Sequence, residues 1–169
     1  MILAHLRRMA RYNRWDNARL YDACAELAED EYQKPRQAFF GSLHGTLCHL
    51  LVTDWIWMDR IEAKPSRGLE LDHRPFAGFA ELRPAREAQD AHIVAFADRL
   101  DDAMVAADVV YRRVTAGGGD MRTPLHLCLL HMFNHETHHR GQAHDQLTQT
   151  PVPPPPLDLL FYLRETDNA

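Results

Sequence analysis

No apolar run in this 169-residue chain approaches the roughly 20 residues that a helix needs to cross a bilayer, so no membrane span is expected. The opening stretch, MILAHLRRMARYNRW, has no apolar segment followed by a small-residue cleavage site, and no secretory leader is expected. Cysteine is scarce: Cys24, Cys48 and Cys128 are odd in number and far apart. That count excludes a disulfide framework and fits a reducing cytoplasm. Each cysteine falls in a helical pattern, where it serves as a small buried hydrophobe. Basic charge is also short, with Lys+Arg 19 against Asp+Glu 24, a net charge of -5 and a pI near 6.1. No basic cluster with interleaved aromatics occurs, so a broad electrostatic footprint for nucleic acid is excluded. Internal repeats are absent as well.

What is present fits one globular domain over residues 1–169. Hydrophobic residues make up 46% and charged residues 25%, and a chain of this size buries roughly two-thirds of its unfolded surface. Histidine is the unusual component, with eleven in the chain. His44 and His49 form one group; His126, His131, His135, His138 and His139 form another, with His144 just beyond. The spacing is not that of a contiguous affinity tag.

Four long segments read as helices. The first spans about Leu3 to Leu27, with Leu6, Met9, Ala10, Asn13, Asn17, Leu20 and Cys24 at helical spacing and arginines elsewhere. Tyr32 to Gly41, containing Pro35, reads as a connection. The second helix starts at Ser42, a good N-cap, and stops before Pro65. It is apolar around most of its circumference, as an element with several neighbours should be. Pro65 to Pro75 is a polar connection. The third helix is expected from Pro84, acceptable at a first helical position, to about Met104. Val109 to Pro124 reads as a short irregular hairpin turning at Gly117-Gly118-Gly119-Asp120. Thr123-Pro124 then reads as an N-cap and first position for a fourth helix ending near Gln149. PVPPPP breaks that helix, and LDLLFYLRE is a last amphipathic piece that packs back. The fold class is all-α: a four-helix bundle with one or two longer crossover connections, a short hairpin and a short C-terminal helix.

The strongest local pattern is His135-Glu136-Thr137-His138-His139-Arg140-Gly141-Gln142. Residues four apart on a helix lie about 40° apart in rotation and one turn apart in rise, so His135 and His139 can aim at one point. Neutral imidazoles suit Zn²⁺, Ni²⁺ and similar ions, and a third protein ligand must come from another helix. His49, inside LCHLLVTDWIW, is the best candidate, because an unpaired imidazole in an apolar helix is costly. His44 lies about 140° around that helix from His49. His131 and His135 are also four apart and His135 and His138 three apart, and spacing alone does not choose among these pairs. His135-Glu136 and His139 also satisfy HExxH literally, which keeps a metalloprotease with Glu136 as base in view.

Several motifs together resemble the DinB-like (DinB/YfiT) superfamily of metal-binding four-helix bundles. They are Tyr12-Asn13-Arg14-Trp15-Asp16-Asn17, Phe40-Gly41-Ser42-Leu43-His44-Gly45-Thr46-Leu47-Cys48-His49 with Asp54 and Trp57, Asn134 to Gln142, and Asp158-Leu159-Leu160. The likeness covers almost the whole chain. It implies that His49, His135 and His139 are the metal ligands, that the ion is Zn²⁺ or Ni²⁺ with open positions, and that Glu136 is no base. Asp54, His138, Arg140 and Gln142 are then candidates to steady the ligands or, for Asp54, Arg140 and Gln142, to bridge helices, and Tyr12 and Trp15 to line a pocket. The likeness further implies a low-molecular-weight thiol as co-substrate of an S-transferase acting on a small molecule. A metal-dependent hydrolase and a non-enzymatic, damage-inducible stress protein with a structural metal are the alternatives. It also implies a homodimer, and the apolar second helix points the same way. Neither nucleic acid nor membrane is an expected partner.

Overall fold

A computed structural model of the chain describes residues 1–112 and 119–166. In chain order the elements are α1 (Ile2–Ala25), α2 (Glu29–Gln33), α3 (Leu43–Ile61), α4 (Phe79–Asp98), α5 (Asp102–Ala106), β1 (Asp108–Arg112), β2 (Asp120–Pro124), α6 (Leu125–Leu147) and α7 (Leu159–Thr166). The bundle is α1, α3, α4 and α6. Helix α1 packs on α4 and α6, and α3 packs on the same two. Cross-helix pairs set the directions. Arg11 meets Asp98 while Arg83 meets Asp22, so α1 and α4 run antiparallel. Asp54 meets Arg86 while Glu62 meets His92, so α3 and α4 run parallel. Gln146 meets Thr46 while the Trp57 ring meets His131, so α3 and α6 run antiparallel. Two consecutive parallel neighbours need a return along the bundle's length, which is what residues 62–78 provide. No helix among the described residues is long and apolar enough to cross a membrane.

Local chemistry accounts for most boundaries. Ser42 caps α3 by accepting from the Gly45 amide at 3.1 Å. Gly45 is also required for its size, since a Cβ there would collide with the Phe40 carbonyl. Only glycine lets the chain before α3 fold over its first turn. Three expectations are corrected. The connection expected from Tyr32 begins inside α2, because Tyr32 is buried against His44 and Phe79. The third helix does not start at Pro84. It starts at Phe79, with Pro84 internal, and stops at Asp98; Asp101 then caps the separate α5 through Met104 N at 2.8 Å. Packing of Phe79 on Tyr21 and Tyr32, and burial of Leu82, draw the helix back past the proline. The carbonyl that Pro84 cannot bond belongs to Ala80, on the exposed side where water reaches it. Finally, Thr123 and Pro124 end β2, so α6 begins at Leu125 without a side-chain cap. The hairpin is antiparallel, from Asp108 opposite Pro124 to Arg112 opposite Asp120. The expected turn at Gly117-Gly118 lies outside the described residues.

The core has two apolar ends. One gathers Leu6, Met58, Ile93, Leu129 and Phe133, and the other Leu20, Leu43, Leu47, Leu82 and Leu147. Between them lies a buried charged layer drawn from all four long helices. Arg86 reaches Asp54 at 2.7 Å, Asp90 at 2.8 Å and Glu136 at 3.7 Å. Arg140 reaches Glu136 at 3.0 Å and Asp16 at 3.2 Å, and donates to Asn13. Asn17 donates to Asp90 at 2.9 Å. Four carboxyl groups thus meet two guanidinium groups. Burial, then the Glu136 charge, pushes Asp54 above the carboxylate range, against the pull of Arg86. Burial also raises Asp16 and Asp90 to about 6 against the pull of Arg140 and Arg86 respectively.

Removing one partner of a buried ion pair leaves the other uncompensated. Arg86→Ala should therefore cost about 3–5 kcal/mol of unfolding free energy by urea titration. A loss below about 1 kcal/mol would mean that the layer is not a determinant of the fold.

Candidate metal centre

The side of α3 that meets α6 carries His49, which is 4% exposed. Opposite it, His135 and His139 lie one helical turn apart on α6. The Nε2 atoms of His49 and His139 are 3.2 Å apart, and those of His139 and His135 are 3.1 Å apart. One ring nitrogen from each of the three lies within 4.8 Å of the others. A metal with Zn–N bonds of about 2.0–2.1 Å holds ligand nitrogens roughly 2.9–3.4 Å apart, depending on whether its angles are octahedral or tetrahedral. The two spacings through His139 match that requirement, and the third pair lies within 4.8 Å.

Hydrogen bonds set the tautomers that a metal needs. The Leu71 carbonyl, from the return segment, can only accept, so His49 Nδ1 donates to it at 2.7 Å. His139 Nδ1 donates to Gln142 Oε1 at 2.7 Å, and Gln142 Nε2 in turn donates to His138 Nε2 at 3.2 Å. Both protons sit on Nδ1, and both Nε2 atoms present lone pairs. Two lone pairs facing at 3.2 Å repel one another, and a shared cation turns that repulsion into attraction. Burial, together with the neighbouring imidazoles, lowers His49 to about 4 and His135 to about 3, and lowers His139 as well. All three are neutral donors at pH 7. The Phe40 ring stacks on His49 at 4.0 Å and lies edge-on to His139 at 5.5 Å, walling the site on one side.

The remaining candidates go to different places. Gln142 and His138 stand beside the triad, as just described. Asp54 and Arg140 belong to the buried charged layer and bridge helices there. Tyr12 and Trp15 lie on α1 under α7, where Tyr12 donates to the Leu157 carbonyl at 2.6 Å and Trp15 Nε1 to Glu165 at 2.9 Å. His131 reaches Trp57, with ring centres 5.0 Å apart, and lies 6.0 Å from His135. His44 lies against Tyr32 and the Phe76 carbonyl, at 3.2 and 3.0 Å. His126 and His144 meet the Val105 and Pro155 carbonyls. Glu136 is fully buried between Arg86 and Arg140, turned away from the triad's open side, and cannot act as a base there. Sequence reasoning missed the Leu71 carbonyl and the Phe40 wall. Phe40 stands in a motif already singled out, whereas a backbone carbonyl 22 residues from its partner leaves no sequence signal.

The family model described as DinB family matches residues 2–168. Protein DinB of Bacillus subtilis (strain 168) is 24% identical over 167 residues, 94% of this chain and 94% of that protein.

Two outcomes are expected of the site. Gln142→Ala, which frees the His139 ring, should weaken Zn²⁺ or Ni²⁺ binding by about 10–100-fold in calorimetric titration. The second concerns acid. Unfolded imidazoles take up a proton near pH 6.5, while folded His49 and His135 resist protonation until about 4 and 3. Below pH 6.5 the unfolded chain therefore binds more protons, and the metal-free fold loses stability as pH falls through that window. Asp16 and Asp90 slope the other way between their ordinary range and about 6. The measurement is thus the difference between wild type and His49→Gln/His135→Gln, followed by denaturation from pH 7 to 4. The wild-type advantage should shrink, or its deficit grow, with acid; a flat difference contradicts the assignment.

Proposed function

The chain belongs to the DinB family, and on that footing we propose that it is a metal-dependent enzyme transferring a low-molecular-weight thiol to a small electrophile. The observation that carries the reading is the convergence of three neutral imidazole nitrogens at metal-binding distance. His49, His135 and His139 would hold Zn²⁺ or Ni²⁺. Bound there, such an ion keeps its full positive charge and supplies Lewis acidity that favours a thiolate over a thiol at neutral pH.

The chain's own residues complete the site. Leu71 and Gln142 hold the His49 and His139 rings in the donating tautomer. Phe40 keeps water from the His49 face. Phe39, 87% exposed, and Leu71, 42% exposed, offer apolar contact to the carbon body of an electrophile. His131 flanks the triad with its ring 6.0 Å from His135 and can accept the thiol proton, whereas the acceptor nitrogen of His138 is taken up by Gln142. The sulfur then forms a bond to carbon as the leaving group departs with its electron pair. Glu136 is committed to Arg86 and Arg140, which leaves hydrolysis without that carboxylate as base and favours the thiol chemistry.

A structural metal is the second reading. His49 draws both the Phe40 segment and the Leu71 segment onto α3, so an ion there would tie two connections to the bundle. Three free, buried cysteines fit a reducing compartment. Because Leu43 to Asp54 are already buried within one chain, the interface of the homodimer that goes with this reading is assigned to other surfaces.

The deciding assay follows thiol consumption with 1-chloro-2,4-dinitrobenzene and a panel of low-molecular-weight thiols, on Zn²⁺- and Ni²⁺-loaded protein. Turnover should require both metal and thiol and be abolished in His49→Ala. Turnover of ester substrates without thiol would support a hydrolase instead. No turnover, with a melting temperature that collapses on chelation, would support the structural ion.

A further inference from the structure

A second site lies on the opposite pair of helices. A cleft of about 640 Å³ opens between α1, α4 and α7 and shares no residue with the histidine triad. Its size is that of a small-molecule pocket. Trp15, Tyr21 and Tyr162 contribute aromatic walls, and three arginines face two carboxylates in the lining. The walls are fixed in place. Trp15 donates to Glu165 at 2.9 Å, the Arg19 guanidinium lies 4.6 Å over its ring, and Tyr162 meets it edge-on at 5.8 Å.

Two lining residues carry buried donors with nothing to donate to. Tyr21 is 2% exposed and its hydroxyl has no partner among the described residues. Arg86 is equally buried, and its Nε has none either, although its Nη2 is bound to Asp54 and Asp90. An unmet buried donor is costly, but both atoms lie behind the cleft's surface, and the cation that a ligand meets must come from elsewhere in the lining. Exposed Arg14 adds positive charge among the lining residues.

We propose that this cleft is a binding site for an aromatic carboxylate. The flat body lies against Trp15 and Tyr162, and the carboxylate pairs with Arg14, the lining arginine that no carboxylate among the described residues holds. Planar apolar surface and charge-assisted hydrogen bonds are the two features the lining offers, and an aryl carboxylate uses both. The site is independent of the metal centre, so either reading can fail without the other.

The probe is 2-naphthoate, titrated calorimetrically into the full chain, beside the uncharged 2-naphthalenemethanol. One molecule per chain should bind with a dissociation constant below about 1 mM, and the alcohol should bind at least about 10-fold more weakly. Ala18→Trp fills the cleft from an exposed position of α1, and Thr166→Trp does so from exposed α7. Each folded variant should lose the binding, while His139→Ala keeps it. No binding of naphthoate, equal binding of the alcohol, or binding that survives both tryptophan substitutions would overturn the proposal.

Discussion

Two arginines that cannot leave the interior organise this bundle. Arg86 on α4 and Arg140 on α6 are both 2% exposed, and between them they engage carboxyl or amide groups from α1, α3, α4 and α6. A buried guanidinium is tolerated only where its partners are in place, so the layer allows one register among the four helices. Apolar packing alone would accept small slides along the helix axes; ion pairs at 2.7 to 3.2 Å do not. The metal site depends on that register. Glu136 is bonded into the layer, and His135 is the residue before it. Asp54 is in the layer too, and His49 lies little more than one turn before it. Locking Glu136 and Asp54 in depth brings His49 level with His135 and His139 at the α3–α6 seam.

The same arrangement explains how an HExxH pattern serves here without its usual base. Successive residues of a helix point about 100° apart. With Glu136 turned to the charged core, His135 and His139 turn to the seam. The carboxylate helps to place the ligands by anchoring their helix and contributes nothing to proton transfer at the metal side. What orients the rings is local: a carbonyl from the return segment on His49 and an amide oxygen from the same helix on His139. Both hold the proton on Nδ1, so the donor atoms are set before any ion arrives.

The sequence was informative where a residue's role follows from its own helix. The i, i+4 histidines, the Ser42 cap, the burial of the cysteines and the four long helices all follow from periodicity and capping. The bundle class and the family likeness came through as well. Boundaries failed where distant packing overrides local preference. Pro84 sits inside α4 because Phe79 and Leu82 gain more from burial than the proline loses, and Tyr32 is helical because its ring fills a gap beside His44. Asp54 and Arg140 were legible as inter-helix polar residues. That they meet each other's partners in one layer, with Arg86 at its centre, was not, because no pattern in α4 marks Arg86 as different from its neighbour Arg83, which lies nearer the surface. The Leu71 carbonyl belongs to a loop whose path only the folded chain reveals.

The central claim is that His49, His135 and His139 bind one divalent ion. Its most direct test is the metal content of tag-free protein by mass spectrometry, after incubation with Zn²⁺ or Ni²⁺ and removal of excess, beside His49→Ala, His135→Ala and His139→Ala. His131→Ala and His138→Ala serve as controls. The account predicts one ion per chain in the wild type and in both controls, and loss of it in each triad variant. A wild-type protein that stays metal-free, or an ion retained by all three triad variants, would contradict it.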